Sequence, residues 1–405
     1  MRSEDELLQG DNTVSETEFR TEVREWLEDN CPQSMRNPYA SEVDICWGGR
    51  NFEFQSEDQR VWLEKMGAKG WTAPTWPAAY GGGGLNGEQA AVLRSELKRI
   101  SARPALESFG ISMLGPALLK FGTEELKQQH LPKICRGEIR WAQGYSEPNA
   151  GSDLASLQMR AEDHGDHFRV TGSKIWTSYG NLGDWMFCLV RTDFDAPKHL
   201  GISFVLFDMT TEGVSTQPIR LISGKSPFTE TILDDVRVEK NQLVGEFNRG
   251  WDVAKYLLTH EREMIGSSGF SSIRTGEIGE TARDLYCRDG EPLSNSALRS
   301  DIARFEVDEQ ALNLTIERLR QEFSGGAGLG AQSSMLKYYG TELNKRRMEL
   351  LMSVRGSASL SWTGEQSREG HLPRAWLRSK GNSIEGGTSE IQLNIIAKRL
   401  LRLPE

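Results

Sequence analysis

Apolar positions change their period twice along the chain. From Thr17 to about Arg140 they recur at helical spacing: Phe19, Val23, Trp26 and Leu27 share one face, and Leu93 and Leu97 do the same within residues 90–100. From Trp141 to Gly245 the period shortens to strands, with short runs at 168–170, 185–190, 202–207 and 232–238 parted by turn residues. Helical periodicity returns from Trp251 onward, through 312–319, 336–352 and 391–401, with glycine-rich 325–330 as a loop between two helices. The pattern predicts a mostly α chain with a central β domain, divided into an N-terminal helical part (1–140), a middle β part (141–245) and a C-terminal helical part (246–405). No internal repeat or long low-complexity segment interrupts it.

Composition narrows this picture. The 405 residues, 26% of them charged and 8% aromatic, suffice for two or three packed domains. No segment approaches the ~20 consecutive apolar residues of a membrane span. Residues 1–18 are polar and acidic, unlike a secretory or an Arg-rich targeting segment, so a soluble cytoplasmic protein is expected. The 5 cysteines are scattered without paired spacing, which points to free thiols. A net charge of -10 argues against nucleic acid as a main partner, while a local basic patch for an anionic cofactor tail stays possible.

Two motif matches fail on context. Gly82, Gly84 and Gly87 fit G-x-G-x-x-G, but Pro77-Ala78-Ala79-Tyr80 is no strand, so a glycine-rich turn before a helix is the reading. His260-Glu261 begins like H-E-x-x-H, but Met264 stands where the second histidine belongs, and no metal is expected.

The richest stretch is 144–178. It opens Gly144-Tyr145-Ser146-Glu147-Pro148-Asn149-Ala150-Gly151-Ser152-Asp153 and closes Gly172-Ser173-Lys174-Ile175-Trp176-Thr177-Ser178. Hydroxyls at Tyr145, Ser146, Ser152 and Ser178, close backbone approach at Gly144 and Gly151, and the plane of Trp176 are what an isoalloxazine ring needs along its polar edge and over its faces. Taken alone, the same residues also read as two polar turns joined by a hairpin.

Further ordered pieces are Asp234-Asp235-Val236-Arg237-Val238, Leu243-Val244-Gly245-Glu246 before Gly250-Trp251, and Glu385-Gly386-Gly387-Thr388-Ser389-Glu390-Ile391-Gln392. With these, nearly the whole chain resembles the acyl-CoA dehydrogenase family. The resemblance implies a helical N-terminal domain, a middle β-barrel or sandwich, a C-terminal four-helix bundle, and FAD as cofactor. It implies the α,β-dehydrogenation of an acyl-CoA thioester to the trans-2-enoyl-CoA, with an electron-transfer flavoprotein as acceptor. By that resemblance Ser146 meets the pyrimidine side of the flavin, Trp176 flanks the ring, Ser178 bonds near N5, and Thr177 between them joins the cofactor contacts. Thr388 and Glu390 would touch FAD from the C-terminal region, and Ser152 would lie near the pyrophosphate or the CoA part of the substrate.

The chemistry needs a carboxylate to take the α-proton, donors for the thioester oxygen, and the β-carbon facing N5. The family's common base, the glutamate of Tyr-Glu-Gly-Thr, is here Gly386 within Glu385-Gly386-Gly387-Thr388. A minority branch takes its base from the first helix after the β domain, just before an arginine, and Glu261 of Leu257-Leu258-Thr259-His260-Glu261-Arg262 matches that position. Independently, Ala254, Leu257, Leu258, Glu261 and Ile265 form one helical stripe, so the carboxylate should be partly desolvated and its pKa raised. The alternative is a surface acid paired with Arg262; the competing base is Glu385, one residue off the common position. Arg262 is expected to hold the helix end or the substrate, and the Gly386 N–H to bond the thioester oxygen.

Two departures bear on assembly. The family's Arg-x-x-Phe element is absent from Tyr286-Cys287-Arg288-Asp289-Gly290-Glu291, and its Gly-Gly-x-Gly turn is altered to Val354-Arg355-Gly356-Ser357. Both resemble a bacterial subgroup that includes pimeloyl-CoA dehydrogenase large subunits and steroid side-chain dehydrogenases. A homodimer, a homotetramer or a heterotetramer with a second related chain follows as the expectation, and a non-catalytic partner subunit as the contrasting one.

Overall fold

The computed structural model describes residues 16–39, 42–267, 278–287, 291, 293–322, 329–364 and 367–404. Residues 1–15, 288–290, most of the expected 325–330 loop and the Ile265 side chain lie outside that description. Five helices precede the strands: α1 (Glu16–Asn30), α2 (Glu57–Ala68), α3 (Gly87–Arg99), α4 (Gly115–Phe121) and α5 (Glu124–Cys135). Phe19, Val23 and Leu27 are the buried face of α1, and they pack on Trp62, Val92 and Leu93 from α2 and α3. The glycine run before α3 is a turn: Asn86 caps the helix in a reciprocal pair with Gln89. Gly82 is required there, because a Cβ would come within 2.3 Å of the Trp76 carbonyl oxygen.

The middle region is one 7-stranded sheet. Its strands are β1 (Trp141–Gly144), β2 (Arg160–Asp163), β3 (His167–Ser178), β4 (Trp185–Arg191), β5 (Ile202–Asp208), β6 (Val214–Ile219) and β7 (Phe228–Glu239). β4 carries β5 antiparallel on one edge and β1 parallel on the other, while β3, β7 and β6 continue the sheet by antiparallel pairing. β4 is apolar from Trp185 to Val190 because both its faces are covered. Met186, Cys188 and Val190 point into the core inside the curled sheet with Phe168, Val170 and Val236. Phe187 and Leu189 point the other way, into the core shared with α4, α5 and the first C-terminal helix.

The C-terminal region holds α6 (Gly250–Ser267), α7 (Ile278–Tyr286), α8 (Ser296–Glu322), α9 (Gln332–Arg355), α10 (His371–Ser379) and α11 (Ser389–Ile395). Helix α9 is the axis: α6, α7 and α8 pack on it as the expected bundle, with α10 and α11 as short additions. Tyr286 donates to the Val354 carbonyl at 2.6 Å, tying α7 to the end of α9, which Gly356 closes at φ 56°. Among the described residues, no helix is long and apolar enough to cross a membrane.

Candidate active site

The wall begins with a buried ion pair. Lys174 Nζ, fully buried in β3, donates to Glu147 Oε1 at 2.7 Å and to the Tyr145 carbonyl at 3.1 Å. Glu147 also accepts from the backbone N–H groups of Gln158 (2.6 Å) and Met159 (2.9 Å), so both ions are fully engaged. One residue on, Ile175 N donates to the Ser146 carbonyl at 2.8 Å. These bonds hold the turn after β1 against β3, bringing Ser146 to the start of the Trp176–Ser178 segment.

Trp176 sits at φ 63°, a left-handed conformation that costs a bulky side chain of order 1–3 kcal/mol. A bulge between Lys174 and Thr177 in the β3–β7 register accommodates it. The indole is left 52% exposed, and among the described residues the one ring against it is that of Phe228, edge-on at 5.9 Å. The hydroxyls of Ser146 and Ser178 engage no partner among the described residues. A strained, uncovered aromatic face beside unpaired hydroxyls fits a flat ring with a polar edge, as isoalloxazine is. Ser178 also lines a narrow cleft with Trp47, Phe109 and Tyr179, where the Arg140 guanidinium stacks 5.0 Å from the Trp47 ring and 5.2 Å from that of Tyr179.

Trp176→Gly is accordingly expected to relieve the backbone strain while removing the ring. The apoprotein should stay within about 1 kcal/mol of wild type in denaturant unfolding, and the flavin-to-protein ratio after purification should fall.

Thr177 departs from expectation. Its side chain is fully buried and lies with Thr229 and Thr231 around Gly180, not on the face that carries Trp176 and Ser178. Strand alternation explains this: the residue between two cleft-facing positions points inward. Ser152 is exposed on its turn.

Glu261 is the buried acid of α6, at 9% exposure, with Ala254 and Leu257 of its stripe in the adjoining core. No ion pair joins it to Arg262 among the described residues; its Oε2 accepts from Gln143 Nε2 at 2.9 Å. Burial raises the carboxyl pKa above its ordinary value and the charge of Glu385 adds to the rise, whereas the Gln143 bond and the charges of Arg262 and Lys337 oppose it. Arg262, its own pKa lowered by burial, turns to Ser333 Oγ of α9 at 3.3 Å and so holds α6 to α9.

The segment between α10 and α11 closes the site. Gly386 and Gly387 both take positive φ, 63° and 89°, and Gln392 Nε2 ties their carbonyl oxygens at 2.9 and 3.3 Å. The Gly386 N–H donates to no described residue. Glu385 has both oxygens engaged, one by Arg378 at 2.7 Å and the other by Asn382. The Arg378 guanidinium also lies 5.2 Å from the Phe228 ring, the same ring that meets Trp176. A continuous chain of contacts therefore runs from Trp176 through Phe228 and Arg378 to the Glu385–Gly386 turn. Thr388 is the N-cap of α11, accepting from Ile391 N at 3.3 Å, and Glu390 is exposed in that helix's first turn. Gln143 and Lys337 are the residues sequence reasoning missed. Lys337 is a fully buried lysine of α9 that donates to the Asn382 carbonyl at 3.1 Å.

Comparison with known proteins bears on the family and the fold. Family models match in order along the chain: "Acyl-CoA dehydrogenase, N-terminal domain" over 13–138, "middle domain" over 142–236 and "C-terminal domain" over 248–401. Acyl-CoA dehydrogenase IpdE1 of Mycolicibacterium smegmatis is 34% identical, covering 96% of this chain and 97% of its own. Among solved structures, the Tcur3481-Tcur3483 steroid ACAD matches at a TM-score of 0.76 and 31% identity, covering 96% of this chain and 98% of that one. The ChsE4-ChsE5 complex of Mycobacterium tuberculosis matches at 0.73 and 29%, covering 98% and 100%.

Proposed function

The chain belongs to the acyl-CoA dehydrogenase family of FAD-dependent oxidoreductases, and from that premise we propose that it dehydrogenates an acyl-CoA thioester at the α,β bond with Glu261 as the base. The observation that carries the assignment is the contrast between two acids close enough for their charges to interact. Glu261 is buried and forms no ion pair among the described residues, while Glu385 is bonded by Arg378 and Asn382. Burial raises the pKa of Glu261 and so suits it to take a proton, while both oxygens of Glu385 are already engaged.

In this reading the three segments divide the work: 1–140 supplies helices around the substrate, 141–245 the flavin wall, and 246–405 the base and the turn. Ser146, Trp176 and Ser178 hold the FAD, joined from the C-terminal side by Thr388 and Glu390, while Ser152 takes the CoA end. Bound FAD supplies the acceptor for the β-hydride. Glu261 takes the α-proton, so the C–H electron pair is left to form the double bond as the hydride departs. The Gly386 N–H stabilises the thioester oxygen as negative charge gathers there. Arg262 acts by fixing α6. Because Glu261 works ionised and its pKa is raised, activity should climb with pH through that raised value.

The solved relative titled steroid ACAD makes a bulky, steroid-derived acyl-CoA the first substrate to assay. In this reading the enzyme works in the cytoplasm, with an electron-transfer flavoprotein as acceptor. The two-chain relatives Tcur3481-Tcur3483 and ChsE4-ChsE5 support an oligomer, a heterotetramer included. Leu360, Ile384, Leu401 and Leu403, all well exposed in the turns and tail of the C-terminal region, are apolar surface for such a neighbour.

The test is direct. The purified chain should be yellow, and its flavin should bleach when acyl-CoA is added without oxygen. A colourless chain that gains flavin only when co-expressed with a genomic neighbour, and does not bleach, would favour the partner-subunit reading. Gly386→Pro should cut the bleaching rate by about 10²–10³-fold, since proline lacks the N–H and cannot adopt φ 63°. A fully active proline variant rules out the Gly386 donor.

A further inference from the structure

Two residues break apolar stripes in this protein, and they meet. On α6 the stripe of Ala254 and Leu257 is broken by Glu261, and on the facing strand the neighbours Trp141 and Tyr145, which share that core, flank Gln143. Ala142, by strand alternation, faces the other core inside the sheet. Gln143 is half-buried, and a side-chain amide that gives up part of its hydration recovers it in a hydrogen bond. Among the described residues its amide bonds one group, the Glu261 carboxylate, at 2.9 Å. The strand backbone fixes the amide's origin, since β1 is laddered to β4 with Gln143 opposite Phe187.

We propose that Gln143 is the positioning residue of the base: its amide holds Oε2 of Glu261 in one orientation and favours the ionised carboxylate. This rests on the assignment of Glu261 as base. The consequence is a division between the two oxygens. Oε2 is engaged by Gln143, while Oε1 accepts from no described residue and is the oxygen left to form the O–H bond as the substrate's α-C–H bond breaks. A carboxylate able to spin would spend much of its time turned away, and burial alone disfavours its ionised form.

Other groups around Glu261 do not replace the amide. Arg262 turns to Ser333, Lys337 to the Asn382 carbonyl, and Glu385 to Arg378 and Asn382. His260, the preceding residue on α6, packs its ring on Tyr256 at 4.8 Å, and Lys120 of α4 lies over that same Tyr256 ring at 4.1 Å. Arg399 is felt by Arg262. Tyr145 shares the face of Gln143, and its hydroxyl is buried without a partner among the described residues, so it is the natural control.

The experiment compares Gln143→Met, which keeps the length and removes the donor, with Tyr145→Phe and Glu261→Gln in the flavin-loaded protein. The bleaching rate is followed against pH with one acyl-CoA that the wild type bleaches. Gln143→Met should retain FAD, lower the limiting rate more than it changes the half-saturating substrate concentration, and move the acid limb to higher pH by about one unit. Tyr145→Phe should leave that limb in place. An unmoved limb in Gln143→Met, or a shift in Tyr145→Phe alone, overturns the proposal. If Gln143→Met does not fold, Gln143→Asn, whose amide is one methylene short of the carboxylate, takes its place with the same expected shift. Full activity in Glu261→Gln removes the base assignment itself; a dead Glu261→Gln with an unshifted Gln143→Met removes only the positioning role.

Discussion

A Glu261→Gln variant should bleach its flavin about 10²–10⁴-fold more slowly with acyl-CoA, the range a positioned general base supplies, while keeping its FAD. The glutamine fills the same volume and leaves α6 in place, so the loss reads the missing proton acceptor and not a damaged fold. Stability separates the two further. The folded-state pKa of Glu261 is raised above that of an exposed glutamate, so its contribution to stability is full at acid pH and is lost as pH rises through the raised value. At pH 8 the buried charge is a cost that glutamine removes. The variant's Tm there should match or exceed that of the wild type, and rates unchanged from wild type would remove Glu261 as base.

The second large effect falls on stability. Glu147→Ala leaves Lys174 fully buried without its counter-ion, and an orphaned buried charge costs about 3–5 kcal/mol. The same change strips the acceptor from the Gln158 and Met159 N–H groups. Denaturant unfolding should show the loss, and flavin retention should fall with it, because the pair anchors the turn of Ser146 to the strand of Trp176. Adding Lys174→Met should recover part of the stability, since the charge left unpaired is then gone. If the double variant is no more stable than Glu147→Ala, the orphaned lysine is not the source of the cost.

How much was legible beforehand follows from chain geometry. The long strands β3, β4, β5 and β7 were visible as apolar runs because a strand buried on one or both faces must be apolar at fixed intervals. β1, β2 and β6 were not. β1 and β2 are 4 residues each, too short to show a period, and β6, Val-Ser-Thr-Gln-Pro-Ile, is polar because it is the exposed last strand of its sheet. Glu261 was legible because a carboxylate interrupting a helical stripe is visible in one dimension. Gln143 was not: nothing in Trp-Ala-Gln-Gly reveals which face the third residue turns to, or that a helix more than a hundred residues later will meet it.

Thr177 marks the same boundary. Its place between Trp176 and Ser178 made it a cofactor contact by neighbourhood, yet a period of two sends it inward while they face out. The amino-acid pattern by itself determined the order of helical and β regions, the interrupted stripe at Glu261 and the absence of a carboxylate at Gly386, because each is a statement about residue type and spacing. Only the tertiary structure decided how each acid is paired and buried. Glu385 is taken by Arg378 and Asn382, and Glu261 is desolvated yet held by Gln143, because pairing and burial are set by what packs alongside a residue, wherever in the chain that neighbour begins.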